Sequence, residues 1–154
     1  MSKKIHAELT EIIDAKPEVL YGILSDYIHG HPKIIPREHF PSIAVEKGGK
    51  GAGTVVLVTT KALGVENKNR LLISEPEPGR VLVEKDDKNA FTTSFILTPR
   101  DAGKKTELCI STDWQPKPGL KGYLEGLATP PVARMIYKKE MRKIAEYIKT
   151  IGRN

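Results

Sequence analysis

The stretch FTTSFILTPRDAGKKTELCISTDW, residues 91–114, decides the fold. Read with a period of two, Phe91, Thr93, Phe95 and Leu97 fall on one face of a first run. Leu108, Ile110, Thr112 and Trp114 fall on one face of a second. The intervening PRDAGKK carries Pro, Asp and Gly, the residues of turns, and is too short for a helical crossover. Two neighbouring antiparallel strands follow.

Working towards the N-terminus, the same design repeats. FPSIAVE, TVVLVTT, NRLLIS and RVLVE are apolar runs closed by KGGKGAG, KALG, EPEPG and KDDKN. Ahead of them, KKIHAELTEII sets Ile5, Ala7 and Leu9 against His6, Glu8 and Thr10, the alternation of a half-buried strand. DAKPEVLYGILSDY breaks that alternation. Pro17 suits a first helical turn, Glu18 suits the positive end of the helix dipole, and Val19, Leu20, Ile23 and Leu24 form an apolar stripe.

Beyond residue 114 the pattern turns helical. Thr129 can cap, Pro130 fits the first helical position, and Tyr137, Met141, Ile144, Ile148 and Ile151 share one face up to Gly152. In KPGLKGYLEGLA, residues 117–128, Leu120, Leu124 and Leu127 keep helical spacing, but Gly119, Gly122 and Gly126 interrupt it. An interior glycine costs a helix about 0.8–1 kcal/mol relative to alanine. The expectation is a loose helix or mobile connector that could gate a cavity.

The predicted architecture is α+β and a single domain over residues 1–154. A curved antiparallel sheet of about seven strands wraps around a long C-terminal helix, with two short helices after the first strand. A bent sheet and a straight helix cannot close flush, so a cavity between them is expected.

Three sequence blocks carry a resemblance. AELTEIIDAKPEVLYGILSDY, the GAGT entry to a strand, and ISEPEPGRVLVE, followed by the long C-terminal helix, resemble the START-like or SRPBCC superfamily. The resemblance implies the helix-grip fold shared by polyketide cyclases, plant pollen-allergen relatives and lipid-transfer domains. It also implies an apolar pocket for a lipid, polyketide or similar molecule. No catalytic motif is common to that superfamily, so it assigns no catalytic residue.

Composition bounds the rest. Hydrophobic content of 39% and charged content of 29% are those of a globular protein, and the start MSKKIHAELTE has no apolar leader-like run. A cytoplasmic location is the expectation. Cys109 is alone, which excludes an internal disulfide and a multi-cysteine zinc site, and its strand context suggests a core or near-core position. Net charge is +6, and the excess lies after residue 116, where nine Lys or Arg face three Glu. Lys138, Lys139, Arg142 and Lys143 lie mostly off the apolar helix face, as a solvated face or a contact for an anionic membrane surface. No aromatic residues interleave there to stack bases, so nucleic acid is not expected as a partner.

Two stretches imitate known sites. HGHPKIIPREHF, residues 29–40, groups three histidines with Asp26 and Glu38 nearby, but nothing in the sequence fixes the geometry zinc needs, so no metal site is read there. One reading is of solvent-exposed loop histidines; the other, implied by the resembled fold, puts this segment at the pocket entrance, with Tyr27 or His31 facing a ligand. GGKGAGT, residues 48–54, is followed by a strand rather than a helix and has its lysine misplaced, so it reads as a turn rather than a phosphate loop.

The expected ligand-binding set is Tyr27, His31, Phe91, Thr93, Phe95, Thr112, Trp114, Leu124, Leu127, Arg134, Tyr137 and Met141. Asp113 points the other way. With no acid–base pair evident, the sequence favours a non-enzymatic binding or transfer protein for a small hydrophobic molecule, calling for no cofactor. The rival is a polyketide cyclase or aromatase-like enzyme drawing on His31, Tyr27, Tyr123 and Arg134. A third reading is a membrane- or protein-docking module acting through the basic helix.

Overall fold

A computed structural model describes residues 4–152, so Arg153 of the basic segment lies outside the described residues. The strands are β1 (Ile5–Ile13), β2 (Ser42–Lys47), β3 (Val55–Ala62), β4 (Val65–Glu77), β5 (Val81–Asp86), β6 (Phe91–Arg100) and β7 (Lys105–Trp114). Helix α1 (Pro17–Ser25) and a single 3-10 turn (His31–Lys33) follow β1, and helix α2 (Gly119–Ile151) ends the fold.

The strands form one antiparallel sheet in the order β1-β7-β6-β5-β4-β3-β2. Register on the decisive hairpin pairs Phe91 with Trp114, Thr93 with Thr112, Phe95 with Ile110 and Leu97 with Leu108. Two inward faces read separately from sequence are thus one surface. Register shifts between Val45 and Lys47 and between Ser74 and Glu77 bend the sheet. Ile43 near one edge and Ile110 on β7 consequently line the same interior space.

Helix α1 starts at Pro17 and buries Leu20 and Leu24 completely. Its Tyr21 hydroxyl donates to Glu75 Oε2 on β4 at 2.7 Å, which ties the helix to the sheet. Helix α2 has 33 residues, a length of about 50 Å at 1.5 Å per residue. It buries Ala133, Tyr137, Glu140, Met141 and Ile144.

The N-terminus of α2 corrects the sequence reading. The helix starts at Gly119 and runs through Pro130 and Pro131, and Thr129 donates its hydroxyl to the Glu125 carbonyl at 2.7 Å instead of capping a new helix. The prolines remove two backbone donors, which loosens the rod at this point without ending it. Packing explains the interrupting glycines. A Cβ at Gly122 would lie 2.2 Å from the Lys117 carbonyl oxygen, and one at Gly126 would lie 3.1 Å from Ile5 Cδ1. The segment 119–128 is therefore part of one continuous helix, with Gly126 against Ile5 of β1. Among the described residues, no helix is long and apolar enough to cross a membrane.

Candidate functional site

The site is built first by the turn after α1. Asp26 Oδ1 accepts the backbone N–H groups of Ile28 and His29, each at 3.0 Å, and folds the chain back on itself. Gly30 must be glycine here, because a Cβ would sit 2.4 Å from the Ile23 carbonyl oxygen. The glycine-rich β2–β3 turn clasps the same place. The Gly51 N–H donates to the Ser25 carbonyl at 2.9 Å, and the Tyr27 N–H donates to the Gly49 carbonyl at 2.8 Å. GGKGAGT is thus a positioning turn, and it fixes Tyr27 and His31 beneath the sheet.

Both rings are buried and stacked, with centroids 4.6 Å apart, and His31 meets Phe95 edge-on at 5.7 Å. The Tyr27 hydroxyl donates to Glu84 Oε1 at 2.7 Å. His31 Nδ1 donates to the Leu24 carbonyl at 2.8 Å, since a carbonyl only accepts, and its Nε2 faces Glu84 Oε1 at 3.5 Å. Burial, and then the Glu84 carboxylate, push the Tyr27 hydroxyl well above its usual range.

Helix α2 supplies the opposite wall. Tyr137 donates its hydroxyl to Thr112, which shares a 2.8 Å hydrogen bond with Thr93 across the β6–β7 pair. One turn on lies Glu140, only 4% exposed, whose Oε1 meets no hydrogen-bonding group among the described residues. Leaving a buried polar group unmatched costs about 1–3 kcal/mol, more for a charge. Burial, and then the nearby Glu84, push the Glu140 carboxyl up to about 8. At neutral pH it therefore holds its proton and can donate it.

These groups surround a cavity of about 90 Å³ between the sheet and α2. That is the room of about three waters, below the roughly 300–1,000 Å³ of a typical ligand pocket. Its floor is aliphatic, with Ile35, Val56, Val58, Leu71 and Ile110. Half-buried Phe40, Ile43, Thr60 and Asn69 form a rim on the β2–β4 side, and half-buried Phe91 at the start of β6 also lines the space.

Of the residues singled out in the sequence, Tyr27, His31, Phe91, Thr93, Phe95 and Tyr137 stand around this cavity. Thr112 stands behind the wall as the partner of Thr93 and Tyr137. Trp114 is half-buried beside Phe91 at the end of β7, and Met141 is packed in the core, both off the wall. Leu124, Leu127 and Arg134 are exposed on α2 and lie outside the cavity. Helical spacing identified a face but not its direction, because the glycine face turns towards β1. Tyr123 is exposed as well, so neither it nor Arg134 reaches the cavity as a catalytic contributor. Sequence reasoning missed Glu84 and Glu140. The available signal was a glutamate two residues from buried Leu82 on a strand, and another on the helical face of Tyr137 and Ile144.

The remaining features resolve into structure. The histidines face three ways: His29 lies 3.9 Å from Asp26, His31 faces Glu84, and His39 Nδ1 donates to the Lys61 carbonyl at 3.0 Å. Cys109 is half-buried on the outer face of β7, its thiol 3.6 Å from Glu8 Oε2, because the alternation that buries Leu108 and Ile110 turns it outward. Asp113 points outward too and meets His6 Nδ1 at 2.8 Å. In the basic helix, Lys139 pairs with Glu38 at 3.5 Å and contacts His39 at 2.9 Å, so it is already engaged within the fold.

No family model and no curated protein matches the sequence. Solved structures do. The solution structure of KanY protein is 23% identical, covers 96% of this chain and 99% of its own, and superposes with a TM-score of 0.81. Zhui aromatase/cyclase from Streptomyces sp. R1128 is 17% identical with a TM-score of 0.73, over 96% of this chain and 94% of that one. A START superfamily protein from Mycobacterium smegmatis is 12% identical with a TM-score of 0.73, over 97% and 99%. The chain has the START-like helix-grip fold. At these identities the likeness speaks for the fold, and the function rests on the site.

Proposed function

We propose that this START-like chain binds or transfers a small, mainly apolar molecule in the space between its sheet and α2. One observation carries the reading: aliphatic and aromatic walls enclose a hollow lined by two buried glutamates, one of which has an oxygen without a hydrogen-bonding partner among the described residues. A few placed polar groups in an apolar wall orient a hydrophobic guest. The guest is compact, or the half-buried rim spreads to admit it. Native mass spectrometry and thermal shift against lipids, sterols, aromatic polyketides and small aromatic compounds test this. A ligand at 100 times its Kd adds about 2.7 kcal/mol of stability, and Thr60→Trp at the rim should abolish the gain. No bound mass and no shift with any compound would end the reading.

A second reading is acid–base chemistry of the polyketide cyclase kind, favoured by Glu84, Glu140 and Tyr27 meeting in one enclosure. Such chemistry needs a base beside an acidic C–H and a donor for the developing enolate. In this reading Glu84 would serve as the base and protonated Glu140 as the donor. The check is turnover of a cyclisable poly-β-ketone. Glu140→Gln should lower kcat at least tenfold, whereas an inert wild type removes the reading.

A further inference from the structure

We propose that the guest is an organic ammonium ion, an amine nitrogen held between Glu84 and Glu140 with its apolar body against Phe91, Phe95 and Ile110. The proposal rests on the binding reading and gives its ligand a charge. Two buried carboxyl side chains line the cavity, and no Lys or Arg among the described residues lines it with them. The one cationisable side chain in the wall is His31, whose Nδ1 is tied to the Leu24 carbonyl. Glu84 already accepts from Tyr27, whereas Glu140 lines the space with its Oε1 buried and unmatched among the described residues. The wall therefore holds two acids and no Lys or Arg to balance them, and an ammonium group brings the positive charge. Aromatic faces at Tyr27, Phe91, Phe95 and Tyr137 suit the same guest, because a ring face attracts a cation.

The groups facing Glu140 fix how pH enters. They are Glu84 on β5, Tyr27 and His31 after α1, and Tyr137 on α2 itself. Asp86, further along the same face of β5, is occupied by Asn69 and by the N–H groups of Lys88 and Ala90. In the empty site Glu140 keeps its proton up to about pH 8. An ammonium guest favours the carboxylate, so binding releases that proton below pH 8. A neutral carbonyl guest would instead accept from the protonated acid, and would weaken as pH rises through the same range.

Isothermal titration with 2-phenylethylamine and its neutral counterpart 2-phenylethanol separates these cases over pH 6–8, where an alkylamine stays charged. Buffers of differing ionisation enthalpy count the protons. The amine should bind, strengthen by up to about tenfold per pH unit, and release a proton. Glu140→Gln, with folding confirmed by circular dichroism, should weaken the amine at least tenfold and remove its pH slope. Glu84→Gln should weaken it as well. If phenylethanol or a neutral compound from the panel binds and the amine does not, or if amine affinity falls with pH, the ammonium assignment is overturned while the binding reading survives. If nothing binds the cavity at all, both fall together.

Discussion

The interior has two ends built from the same elements. At the packed end, Leu24, Leu82, Leu97, Leu108 and Ile144 are wholly buried with no polar atom among them. At the hollow end stand Tyr27, Glu84, Thr93, Thr112 and Glu140. Each polar residue lies two to four positions along the chain from its aliphatic counterpart, on the same face of α1's end, β5, β6, β7 or α2. The fold therefore accepts aliphatic residues at these registers, and the polar set at the hollow end is not imposed by the architecture. Proteins hold unmatched buried polar groups where function requires them, at a loss of stability.

Substitutions at the two ends should differ in sign. Leu108→Ala, in the packed end, should lower stability by about 2–5 kcal/mol in urea denaturation. Glu140→Leu should raise it by about 1–3 kcal/mol in the unliganded protein, since it removes an uncompensated buried group, and should abolish binding. A destabilised Glu140→Leu would show that this carboxyl has a stabilising role the hollow does not explain.

Stability should also depend on pH through the hollow end. A carboxyl whose folded value is raised keeps a proton that the unfolded chain gives up above its ordinary value of 4.5, so this contribution falls as pH rises from 4.5 to about 8 and is flat beyond. Chemical denaturation of wild type across that window should show the decline, and Glu140→Gln should flatten it.

Tyr27→Phe should destabilise by about 1–3 kcal/mol, because buried Glu84 loses its hydroxyl donor. The smallest effect belongs outside both ends. Leu124→Ala, on the exposed flank of α2, should change stability by less than about 0.5 kcal/mol and leave ligand affinity unchanged.

The ends also differed in how far the sequence revealed them. Strand alternation gave the sheet and the facing residues of β6 and β7, because a period of two survives any tertiary context. The start of α2 was obscured because Pro130 is equally at home at a first helical turn, and only contact with β1 shows that the helix has already begun. Aromatic residues near the cavity were legible on β6. Glu84 and Glu140 were not, because a lone sequence assigns charges to solvent and cannot reveal that two of them converge from β5 and α2. Leu124 and Leu127 erred the other way, since spacing fixes a face but not the side it meets.

The most direct measurement is a methyl NMR titration of Ile, Leu and Val-labelled protein with the compound that raises melting temperature most. Occupation of the hollow predicts shifts at Ile35, Val56, Val58, Leu71 and Ile110, with Leu120, Leu124 and Leu127 unmoved. Shifts confined to those three exposed leucines, with the interior methyls silent, would contradict it.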